Sequence, residues 1–117
     1  MIATSRNLES ILSRKAAGHL RAFQAEIHAR FPGKISRVIL FGSRARGDAR
    51  RDSDYDVAVF VRDLENRRAI NHVFAEIAYP HILEGIYIRP FAVPSDFLDV
   101  AQRDGLARSI ARDGVAI

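Results

Sequence analysis

The chain has 117 residues, 48% of them hydrophobic, and no cysteine, so one folded domain over residues 1–117 is expected, with no disulfide framework and no thiolate metal site. Its net charge is +4 at pH 7. Lysine occurs only at Lys15 and Lys34, so arginine supplies most of the positive charge, and arginine suits planar two-point contact with phosphate or carboxylate. The opening MIATSRNLESILSRKAAGHL lacks a continuous apolar stretch, and no run approaches the length of a membrane span, so a cytoplasmic protein without membrane contact is expected.

Leu8, Ile11, Leu12, Ala16, Leu20, Phe23 and Ile27 recur at three- and four-residue steps. That spacing predicts an amphipathic helix over about residues 5–30, ended by Phe31-Pro32-Gly33. A strand over Ile35–Phe41 follows and stops abruptly at Gly42-Ser43. The loop after it is basic, with Arg44, Arg46, Arg50 and Arg51. A second strand, about Asp54–Arg62, opens on Asp54-Tyr55-Asp56. Side chains two apart on a strand share a face, so Asp54 and Asp56 are expected to project together. Two such carboxylates repel each other unless a cation lies between them, and hard oxygen ligands suit Mg²⁺. Beyond Asp56 both faces of the strand are apolar, which places it centrally in a covered sheet.

A helix over about Leu64–Tyr79 is expected next, capped by Asp63 and stopped by Pro80. Gly85–Val93 reads as a third strand, and Pro90 within it argues for a sheet edge. Ser95 is the expected cap of a short helix that buries Phe97, Val100 and Ala101 and ends at Gly105. A last helix through Leu106 and Ile110 closes at Gly114. The four histidines, His19, His28, His72 and His81, show no metal-ligand spacing on any one element, and ordinary surface or packing roles are expected for them.

Gly42-Ser43, Arg44-Ala45-Arg46-Gly47 and Ser53-Asp54-Tyr55-Asp56-Val57 together resemble the signature of the polymerase-β-like nucleotidyltransferase superfamily, nearest its minimal nucleotidyltransferase (MNT) group. The ending Ala111-Arg112-Asp113-Gly114-Val115 is similar to that group as well. The resemblance implies an α+β (α/β-like) fold, a small mixed sheet of three or four strands flanked by helices. It implies transfer of a nucleotidyl group from a Mg²⁺-bound nucleoside triphosphate, with ATP expected, to a hydroxyl acceptor. On that resemblance Asp54 and Asp56 are the catalytic metal ligands, and Gly42, Ser43, Arg44 and Arg46 bind the nucleotide. It also implies an antitoxin role beside a HEPN-type ribonuclease toxin. Apolar residues such as Phe91 and Phe97 leave a homo-oligomer as a further option beside core packing, and the chain lacks an aromatic stacking pattern, so nucleic acid is not expected as a direct ligand. The superfamily takes a third carboxylate from the next long strand, whereas Ile86–Phe91 contains no acid and puts Tyr87 or Arg89 in that place. Glu84, Asp96 and Asp99 stay open as substitutes. Two readings therefore stand: an active transferase, or a binding module that neutralises its partner without turnover.

Overall fold

The two apolar runs on either side of the basic loop pair with each other at the centre of the molecule. The computed structural model describes residues 7–117. Its elements are α1 (Leu8–Ile11), α2 (Arg14–Arg30), β1 (Ile35–Phe41), α3 (Ser43–Arg46), β2 (Tyr55–Val61), α4 (Arg67–Leu83), β3 (Ile88–Pro94), α5 (Phe97–Val100), α6 (Gly105–Asp113) and β4 (Val115–Ala116). The strands form one mixed sheet in the order β3-β2-β1-β4. β1 runs antiparallel to β2, with Leu40 opposite Val57 and Phe41 opposite Asp56. β3 runs parallel to β2 and sets Arg89 opposite Asp56, while β4 adds an antiparallel edge to β1.

Alternation along the strands divides the core in two. Val38 and Leu40 of β1, Tyr55, Val57, Val59 and Val61 of β2, and Ile88 and Ala92 of β3 face a layer that includes Leu8, Leu20, Phe23, Ile27, Phe74 and Ile77. Ile39, Phe41, Ala58, Phe60 and Val93 face Ile110 of α6, with Phe91, Phe97 and Leu98 partly buried against them. β2 is covered on both sides, as its unbroken apolar sequence requires.

Several boundaries differ from the sequence expectation, each for a local reason. Residues 5 and 6 of the expected first helix lie outside the described residues, and the remainder is two helices broken at Leu12-Ser13. Ser13 is extended at φ −63°, ψ 158°, and its hydroxyl accepts the amide of Ala16 at 3.1 Å. It therefore starts a new helix instead of continuing the old one. Asn66, not Asp63, caps α4 by accepting the amide of Ala69 at 3.2 Å. Pro80 lies inside α4, which continues to Leu83. It sits in the closing turn on the exposed side, where the hydrogen bond it forfeits leaves a carbonyl open to water.

β3 is an edge strand, as Pro90 suggests. The amide of Ala92, which has the same parity as Pro90, points away from β2 to the side-chain oxygen of Asn71 at 2.7 Å. Pro90 therefore removes no ladder bond. Asp96 rather than Ser95 holds the cap position of α5, without a side-chain bond, and Val100 is 71% exposed instead of buried. Gly105 opens α6 rather than closing the preceding turn, because Asp104 caps that helix through the amides of Leu106 at 2.8 Å and Ala107 at 3.2 Å. β4 is only two residues long, too short for any residue pattern to mark it, and is defined by its pairing with Ile39 and Leu40 of β1.

Candidate active site

β1 delivers the chain to a bend beside the head of β2. Gly42 takes φ +77°, a left-handed conformation that favours glycine, and turns the backbone into α3. A methyl group added there would lie 2.6 Å from Oδ2 of Asp56, so that carboxylate rests directly against the glycine backbone. Asp54 immediately precedes β2, two residues from Asp56 and on the same parity as Ala58 and Phe60. Arg89 completes the cluster from β3. It is paired in register with Asp56, and its Nη1 lies 3.9 Å from Oδ2 of Asp54. Burial raises the Asp56 pKa from its ordinary value, Arg89 opposes that rise, the charge of Asp54 adds to it, and Arg46 opposes it again.

The loop arginines have specific partners. Arg44 donates to the carbonyl of Ser53 from Nε at 3.2 Å and from Nη2 at 2.9 Å, and to the carbonyl of Arg51 at 3.0 Å. Its guanidinium carbon lies 4.2 Å over the ring of Tyr55, on the opposite face of β2 from Asp56. Arg44 thereby fixes the loop that delivers Asp54. Arg46 reaches Asp48 at 3.2 Å and Asp113 at 3.1 Å. Asp113 is only 6% exposed and also takes both Nε and Nη2 of Arg112, at 3.0 and 3.1 Å. These bonds, from Arg112 first and then Arg46, hold the Asp113 carboxyl below its ordinary pKa although burial pushes the other way. The C-terminal helix is thus tied to the loop after Gly42. Reading by residues left Asp113 without a role; the only hint was its place in the Ala111–Val115 ending.

Residues 25–117 match the family described as Polymerase beta, Nucleotidyltransferase. The chain belongs to that family. Among relatives of this nucleotidyltransferase-family chain, a protein from Methanocaldococcus jannaschii named a "putative protein adenylyltransferase" is 28% identical over 91 residues, covering 74% of this chain and 92% of the relative. The fold is also that of a solved toxin-antitoxin structure, MntA-HpeT in a mutant form, at TM-score 0.50 and 19% identity, over 80% of this chain and 68% of the other. A nucleotidyltransferase structure from Sulfolobus solfataricus, also named putative, aligns at TM-score 0.49 and 18% identity, over 97% and 90% of the two chains.

Against the superfamily pattern, no third acid joins the site among the described residues of this nucleotidyltransferase-family chain. Among the described residues no group of three or more His, Cys, Asp or Glu side chains could hold a metal ion. Asp96 and Asp99 follow the far end of β3, where the amide of Ser95 bonds the carbonyl of Val61. That end is roughly 16 Å along β2 from Asp56, so neither can substitute. Glu84 caps the end of α4 and joins no carboxylate cluster. Tyr87, two residues before Arg89, is 40% exposed and lines a cavity of about 460 Å³ with Asp54, Ala78, Ile82, Arg89 and Pro90.

The remaining donor set is two adjacent carboxylates, one exposed and one half-buried, beside a glycine–serine bend. This all-oxygen pair fits Mg²⁺, which binds through one or two carboxylates and fills its other positions with water and phosphate. The histidines contribute nothing here. His72 pairs with Glu76 at 3.0 Å. His19 and His81 meet across α2 and α4, with Nδ1 atoms 2.7 Å apart. No helix among the described residues is long and apolar enough to cross a membrane.

Proposed function

We propose that this chain binds a Mg²⁺-nucleoside triphosphate, with ATP the first candidate, and transfers its nucleotidyl group to a hydroxyl acceptor. The observation that carries the reading is the contact between Gly42 and the Asp56 carboxylate, with Asp54 on the same strand face. In this reading Asp54 and Asp56 hold the cation that accompanies the triphosphate. The Gly42 backbone and the Ser43 amide and hydroxyl lie along the phosphates. Arg46, held between Asp48 and Asp113, keeps a guanidinium near the Asp56 carboxylate, while Arg44 holds the loop in shape. The bound Mg²⁺ supplies charge neutralisation for the phosphates and lowers the pKa of an oxygen nucleophile. The chain's own residues contribute position: a glycine that lets phosphate approach, and two carboxylates fixed about one strand pitch apart.

Likeness to a named adenylyltransferase and to one half of a toxin-antitoxin pair supports an antitoxin role, with a HEPN-type toxin as the proposed acceptor or partner. Arg89 favours a second reading, because it stands where the superfamily pattern has an acid. There the chain binds nucleotide and partner without turnover. Incubation with radiolabelled nucleoside triphosphates and Mg²⁺ decides between them. The transferase reading expects label on a partner protein or other acceptor, lost on chelation and reduced on the order of 100-fold in Asp54→Asn or Asp56→Asn. Transfer at undiminished rate in the double variant would remove both aspartates from the mechanism. Partner neutralisation without transfer would leave the binding reading.

A further inference from the structure

We propose that Arg89 keeps a second divalent cation out of the aspartate pair, so that the site loads one divalent cation with its triphosphate and Arg89 itself supplies further positive charge. The inference deepens the nucleotide-binding reading above and rests on it. Three observations converge on it. The β2–β3 register sets Arg89 directly beside Asp56, on the strand face that carries Phe91 and Val93. Its guanidinium lies 3.9 Å from Asp54, and its backbone is paired in register with Asp56, so it stands against both carboxylates. Among the described residues nothing supplies a third acid to the pair.

Replacing a carboxylate by a guanidinium changes the local charge by two units in the direction that repels a dication. It also removes the oxygens such an ion would need. The ion pair with Asp54 is long, and the Arg89 side chain is 71% exposed, so it can swing without disturbing the core. Without substrate, Arg89 offsets the repulsion between the two aspartates. With Mg²⁺ seated on them, it is displaced toward the phosphate oxygens, for which its planar fork is suited. Arg89 would then be a substrate-contacting residue, and the number of ions per nucleotide would be a property of this chain's edge strand.

The test counts metal rather than product. The full chain is saturated with Mn²⁺ and a triphosphate analogue whose α,β bridge cannot be cleaved, and the manganese and nucleotide retained with protein after ultrafiltration are measured. The wild-type chain is expected to retain one Mn²⁺ per nucleotide. Arg89→Ala should keep that ratio and weaken analogue binding at least about tenfold, and Arg89→Asp should raise the ratio to two. Without ligand Arg89→Ala should keep the wild-type thermal midpoint to within a few degrees, since residue 89 is outside the core, whereas Arg89→Asp, which sets a third acid beside the pair, should melt lower and be raised by Mn²⁺. Two ions per nucleotide in the wild type, unchanged affinity in Arg89→Ala, or a ratio still at one in Arg89→Asp each overturns the inference while leaving nucleotide binding standing. A wild-type chain that retains no analogue overturns the inference and the reading beneath it together.

Discussion

The Asp56 carboxylate fills the space that a side chain at Gly42 would need, and this limits what position 42 tolerates. An added methyl would meet the Asp56 carboxylate at 2.6 Å and would also have to sit at φ +77°. Gly42→Ala should therefore destabilise the fold by about 1–3 kcal/mol through backbone strain and displace the carboxylate. Its signature is a lowered denaturant midpoint together with weaker Mg²⁺-nucleotide binding than in a surface control of equal stability. A variant as stable as wild type, binding nucleotide equally well, would show that the close approach is dispensable. This part of the site was legible because Gly42, Ser43, Asp54 and Asp56 lie within one strand–loop–strand stretch, where strand parity orders the side chains. The engagements of the neighbouring arginines were not, because they depend on distant partners. Arg46 is fixed by an acid 67 positions away, and Arg44 by backbone carbonyls that no residue pattern announces.

Helices and strands were easiest to read where one chain segment decides the outcome, and hardest where two must meet. β1, the central position of β2 and the edge position of β3 followed from apolar runs and one proline. The break at Ser13 and the start of α6 at Gly105 turned on single side-chain caps, which compete with hydrophobic periodicity that continues past them. Contacts between elements carry two predictions about acid. Arg112, and after it Arg46, lower the pKa of Asp113 against the effect of burial, so its stabilisation is present above the unfolded value near 4 and is lost as pH falls through the folded value. Arg46 and Arg112 are 41% and 67% exposed, and screening reduces the pair's worth. Asp113→Asn should then cost about 1–2 kcal/mol at neutral pH and flatten the melting curve's dependence on pH below 4. Burial, with the charge of His19 adding to it and Glu26 opposing, lowers the pKa of His81. The folded chain therefore binds fewer protons than the unfolded one just below pH 6.5, and stability should begin to fall as pH drops through that value. His81→Gln should remove that upper limb and leave the Asp113 limb in place. A single acid transition common to both variants would contradict the assignment.

At the scale of the whole molecule, the site sits where charge and architecture meet. The sheet's two core layers bury the odd and even faces of β2 along most of its length, and only the end carrying Asp54 and Asp56 opens to solvent. Opposed carboxylates at that end, one of them raised in pKa by burial, are a local cost within an otherwise apolar sheet. Anything that neutralises them binds the folded chain and not the unfolded one. Mg²⁺ with a nucleoside triphosphate at about 100 times its dissociation constant should therefore add roughly 2.7 kcal/mol of stability. For a chain of this length that corresponds to a rise of about 10 °C or more in thermal midpoint. Triphosphate with chelator should give far less, because its charge then faces two bare carboxylates with only Arg89 and the loop arginines in support. In the Asp54→Asn, Asp56→Asn double variant the order should reverse. Triphosphate alone would bind at least as well as its Mg²⁺ complex, since the repulsion is gone and so are the ligands that prefer the metal-bound form. Equal shifts with and without Mg²⁺ in the wild-type chain would mean that the polyanion is held by arginine alone and that the aspartates serve some other purpose.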